Sequence, residues 1–134
     1  MVRERGFSVI EFLVVGAIMG ILALIAVPQY SIYRQKGFNT AAANDLRSMA
    51  AAQEALFAQT GKYHAISHCT SEDPGTQCKI EGIPGMSQLA KGVNLSIEAS
   101  PTGFTGTARH VKSKVVCRWD SAQGGMLGCS KAQG

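Results

Sequence analysis

Apolar side chains run from Phe7 to Val27 with no polar face, interrupted only by Ser8, Glu11, Gly16 and Gly20. As a helix this stretch spans about 32 Å, the hydrocarbon thickness of a bilayer. Past it the period changes. Leu46, Met49, Ala50, Leu56 and Phe57 recur at three- and four-residue steps on an alanine-rich background, with Arg34, Lys36, Asp45, Arg47, Gln53 and Glu54 free for the other sides. That is an amphipathic helix. Gly61, after Thr60, is a fitting C-cap. The pattern predicts one helix from Phe7 to about Thr60, roughly 80 Å long. Its first half needs lipid or other helices around it, and its second half needs a sheet against one stripe.

After the helix the period drops to two. Val93–Ala99 alternates apolar and polar as a half-buried strand does, and Ser100-Pro101-Thr102-Gly103 reads as a turn. Phe104–Arg109 and Lys114–Asp120 follow as strands, separated by the basic stretch His110–Lys114. Val115, Cys117 and Trp119 share one face of the later strand. Ser121–Gly125 is a further turn, and Met126-Leu127 begins a short last strand. Three or four antiparallel strands in a meander, one face on the helix, make an α+β unit. Gly61–Gly92, rich in turn residues, reads as the connection between helix and sheet.

Charge sharpens this division. Of 13 Lys and Arg and 9 Asp and Glu, net +4, only Glu11 lies between Phe7 and Val27. The cations are scattered, with only Lys112 and Lys114 close together, and lack the dense aromatic-interleaved stripe of a nucleic-acid groove, so no specific nucleic acid is predicted. A cleaved secretory signal would carry a shorter apolar core and a small-residue site after it, and none precedes Pro28-Gln29-Tyr30. Arg3 and Arg5 ahead of the span favour a cytoplasmic N-terminus with the bulk of the chain outside. Glu11 fits neither a signal nor a plain anchor, because a lone carboxylate in lipid costs a few kcal/mol and usually has a partner.

The run Arg5-Gly6-Phe7-Ser8-Val9-Ile10-Glu11, continuing through the apolar stretch to Pro28-Gln29-Tyr30, resembles the type IV prepilin signature, in its type IVa form. Ser8 and Phe12 stand where the commonest pattern has Thr and Leu. The resemblance implies cleavage between Gly6 and Phe7 by a prepilin peptidase, N-methylation of the Phe7 amine, and pairing of Glu11 with the N-terminal amine of a neighbouring subunit. It also implies that Gly20–Pro28 can lose helical structure in the filament. The parts are then a leader over residues 1–6, a membrane and filament-core helix over 7–28, an amphipathic continuation over 29–61, and a globular part over 62–134. The expected partners are the inner membrane, the peptidase and methyltransferase, the pilus assembly machinery and, in an extracellular homo-oligomeric filament, further copies of the chain.

Cys69, Cys78, Cys117 and Cys129 form an even set in a small domain expected outside the cytoplasm, which suggests two disulfides. Their order suggests Cys69–Cys78 and Cys117–Cys129 among three pairings; the second resembles the disulfide-bounded loop of type IV pilins. No cysteine pair has the spacing of structural zinc and there is no haem-attachment motif, so no metal or cofactor is predicted. His64 and His68 read as surface residues. Phosphate-loop, H-E-x-x-H and G-x-S-x-G motifs are missing, and no enzyme is predicted. The expected role is a structural pilus subunit serving adhesion or twitching motility. The alternatives are a pseudopilin of a type II secretion system, or a minor pilin in DNA uptake or adhesion.

Overall fold

The computed structural model describes residues 6–71 and 89–132. Helix α1 (Val9–Thr60) is followed by β1 (Ile66–Thr70), β2 (Val93–Ser100), β3 (Gly103–His110), β4 (Val115–Asp120), a 3₁₀ turn (Ser121–Gln123) and β5 (Gly125–Lys131). The chain divides into two compact units between Arg34 and Gln35.

In the first unit every described residue is exposed. Helical structure passes through Gly16, Gly20 and Pro28 without a break. Pro28 has no N–H to offer the carbonyl four residues back, and its own carbonyl accepts from Ser31 Oγ at 2.9 Å. The predicted leader lies outside the described residues except for Gly6.

The second unit is a single antiparallel sheet in the order β1-β2-β3-β4-β5, each strand beside its sequence neighbour. Residues of α1 from Gln35 onward cover its inner face. Leu46, Met49 and Ala50 are buried with Val93, Leu95, Ile97, Phe104, Ala108 and Cys117, so the three- and four-residue stripe meets the two-residue alternation of the strands. Leu46 sits over Gly106, where a Cβ would come within 2.8 Å of both Leu46 Cδ1 and Ile97 Cδ1. Only glycine lets the helix approach the sheet this closely at that point.

The strand count exceeds the expected three or four. β1 lies in the segment expected to be a loop, and β5 extends well past Met126-Leu127. Both differences come from bulges. The β1 register shifts between Ile66 and Cys69, so its two inward residues are three apart and the two-residue period disappears. In β5, Gly128 pairs with Arg118 but Met126 pairs with Trp119, leaving Leu127 as an extra residue. Gly128 takes φ +106° there, a conformation open to glycine.

Polar clamps hold the helix and its exit. Gln53, fully buried, donates to the His64 carbonyl and accepts the His64 N–H, both at 2.8 Å, as a strand neighbour would. Gly61 caps α1 at φ +70°, its N–H donating to the Phe57 carbonyl at 2.7 Å. Phe57 lies outside the core and stacks on Tyr63 at 4.5 Å. At the other end of the sheet Ser113 Oγ donates to Asn39 Oδ1 at 2.6 Å, and the His110 ring stacks on Phe38 at 4.1 Å. His110 Nδ1 accepts the Lys112 N–H at 3.0 Å. Nε2 therefore carries the ring proton and donates to the Lys91 carbonyl at 3.1 Å.

Candidate functional site

The start of α1 is set by local chemistry. Ser8 is its N-cap: the Ser8 carbonyl accepts the Phe12 N–H at 3.2 Å. Three residues on, Glu11 Oε2 accepts the Ser8 N–H at 2.9 Å. A carboxylate reaching back to the N-cap amide is one arm of a capping box, and the partial positive charge at a helix N-terminus favours an anion there. The S-x-x-E spelling of Ser8–Glu11 carries this signal in the sequence, and it gives Glu11 a partner within its own chain besides the neighbouring amine that the prepilin resemblance implies.

Around that carboxylate the surface is apolar. Phe7, Ile10, Val14 and Val15 form with Glu11 a shallow recess of about 350 Å³. Phe7 is 80% exposed, and Ile10, Phe12, Leu13, Ile21, Leu22, Leu24 and Ile25 are each at least 60% exposed. α1 is the one helix among the described residues long and apolar enough to cross a membrane. Gly16 and Gly20 have open space where a Cβ would go. Among the described residues no contact requires glycine at either position.

The cysteines belong to the other unit. Cys117 is joined to Cys129, and buried Cys117 Sγ lies 3.8 Å from the Asn39 carbonyl of α1. The bond ties β5 to β4 beside the helix. Cys69 is buried and disulfide-bonded; Cys78, the partner suggested for it, lies outside the described residues. His64 and His68 are exposed. Among the described residues no three His, Cys, Asp or Glu side chains gather as metal ligands.

The fold takes the Asp45 carboxylate partly out of water. Burial raises its carboxyl above the ordinary value, and the Ala90 N–H, donating to Oδ2 at 2.7 Å, acts in the opposite direction. The bond fastens the entry to β2 onto the helix, so its role is structural.

No family model matches the chain. Among individual proteins it is 36% identical to a type IV major pilin protein of Myxococcus xanthus over 61 residues, 46% of this chain and 28% of that protein. It is 36% identical to fimbrial protein Q of Moraxella bovis over 105 residues, 77% of this chain and 66% of that protein. A fimbrial protein of Pseudomonas aeruginosa is 37% identical over 73 residues, 54% of this chain and 46% of that protein. The chain thus spans between 28% and 66% of the length of these relatives.

Proposed function

The chain belongs to the type IV pilin family, and from that premise we propose that it is a structural subunit of a type IV pilus. It is made as a precursor anchored in the inner membrane, cut between Gly6 and Phe7, methylated at Phe7, and packed with copies of itself into an extracellular filament for adhesion or twitching motility. The peptidase and methyltransferase and the assembly machinery are its transient partners. The observation that carries this reading is an α1 segment apolar all round and exposed throughout, with one carboxylate at its amino end.

The physics of the transfer explains why that acid matters. Leaving lipid for a bundle of sister helices yields little hydrophobic gain, since lipid tails are as apolar as leucine, so packing and polar contacts must direct association. Gly16 and Gly20, open on this chain, allow close approach by another helix. Glu11 Oε2 holds the Ser8 N–H, while Oε1, which no described group holds, can take the ammonium that cleavage creates on another copy. Opposite charges 4 Å apart attract by about 4 kcal/mol at an effective dielectric of 20, against about 1 in water. Such a pair selects one register among many apolar ones. The relatives' names, fimbrial proteins and major pilins, favour a pilus subunit over a secretion pseudopilin.

Mass spectrometry of filaments sheared from producing cells tests the reading. An N-terminal peptide beginning at methylated Phe7 should be abundant. Glu11→Ala should leave the chain in the membrane fraction and sharply reduce filaments. Recovery only as a membrane monomer that still begins at Met1 would overturn the proposal, and normal piliation by Glu11→Ala would overturn the charge pairing.

A further inference from the structure

The exposed charges of the sheet unit are divided between its two ends. Glu98, Thr105 and Asp120 are partners across β2, β3 and β4. With Thr102 and Ser121 they line a depression of about 360 Å³ near the Ser100–Gly103 turn. Glu54, hydrogen-bonded to Tyr63, and, alone among the described cations, Lys62 stand at the same end. The opposite end carries Lys91, Arg109, Lys112, Lys114 and Lys131, all exposed. No described carboxylate offsets them there; Asp45, bonded to the Ala90 N–H, is committed inward. Arg118 stands between the two ends, on the Thr107 rung.

Asp120 lies five steps along β4 from Val115, whose rung carries Lys131. At about 3.4 Å per residue the acidic and basic rungs are about 17 Å apart. That is twice the physiological screening length of about 8 Å, so within one molecule the ends do little to neutralise each other. Both ends recur on every copy. A contact joining one patch to a different patch is heterologous, and when its rotation does not close into a ring it propagates as an open helix.

We propose that the two ends of this sheet are mating faces between copies of the chain, Lys112 and Lys114 of one seating against Glu98 and Asp120 of another. This rests on the filament reading above and adds a second recognition element outside the helical core. Exposed ion pairs add little affinity, but complementary patches reject wrong registers, because like charges brought together cost several kcal/mol. The contact therefore sets how the globular parts step along the filament. Among the described residues Lys112 and Lys114 engage the fold through backbone hydrogen bonds, and both side chains are exposed.

The test uses the full-length chain in producing cells, comparing sheared filament with membrane-fraction chain for four variants. Lys112→Glu with Lys114→Glu, and Glu98→Lys alone, should each lower filament yield roughly tenfold or more, given that like-charge cost. Lys112→Gln with Lys114→Gln should fall in between. Combining Glu98→Lys with the two Lys→Glu changes should restore most of the yield, a rescue that misfolding of either parent could not produce. Wild-type yields from the one-sided variants, or no rescue in the combination, would overturn this proposal alone. The latter is also the outcome if the basic end serves an extracellular polyanion instead. Absence of filaments from the wild type would overturn this proposal together with the filament reading.

Discussion

Gly106→Ala isolates the closest approach of helix to sheet. An added Cβ would lie 2.8 Å from Leu46 Cδ1 and from Ile97 Cδ1, where carbon atoms in good contact stand about 3.5–4.0 Å apart. Both side chains are at most 1% exposed, so neither methyl has solvent to retreat into. Gly106 is not among the positive-φ glycines, and alanine suffers no backbone strain there. Overpacking of this kind costs about 1–3 kcal/mol. Alanine recovers roughly 0.5–1 kcal/mol of the chain entropy that glycine loses in a strand. The expected net loss is about 1–2 kcal/mol, a factor of roughly 5–30 in the folding equilibrium. Urea unfolding of the full-length chain in detergent reads it out through Trp119, the single tryptophan. Leu46→Ala alone should cost about 3–5 kcal/mol, by the cavity rule for buried leucines. In that background the clash has somewhere to go, so Gly106→Ala should become neutral or stabilising. An equal cost in both backgrounds would refute the steric argument.

The Cys117–Cys129 bond joins residues 12 apart, a loop whose closure is worth about 3 kcal/mol by chain entropy; Cys129→Ser should lower unfolding stability by that order, and an unchanged urea midpoint would count against it. Asp45 has a raised folded-state carboxyl pKa, so the stability linked to its protonation is fully present below the ordinary value of 3.8 and lost as pH rises through the folded-state value. Relative to Asp45→Asn, which keeps an acceptor for the Ala90 N–H, the wild type should therefore gain stability as pH falls from 7 to 3. A difference constant with pH would show that burial does not perturb this carboxyl.

Much of the molecule can be read without coordinates because two solvents leave different marks on the chain. The stretch from Phe7 to Val27 is apolar on every side and exposed throughout, and no fold is needed to recognise that. The stripe of Leu46, Met49 and Ala50 and the alternation of β2 each name their buried face through a fixed local period. The place of Glu11 in a prepilin-like signature is likewise a property of order along the chain.

Tertiary structure decided what local period cannot express. β1 and the far half of β5 exist because neighbouring strands supply partners, and their bulges erase the alternation that would have announced them. Gly106 resembles any strand glycine until Leu46 and Ile97 close over it from distant positions, and Gln53 looks like a surface amide until His64 folds back onto it. The separation of Glu98 and Asp120 from the lysines arises only when β2, β3 and β4 are laid in register. Sequence records what each residue tolerates from its solvent, whereas contact between remote residues is set by how the strands and helix are stacked.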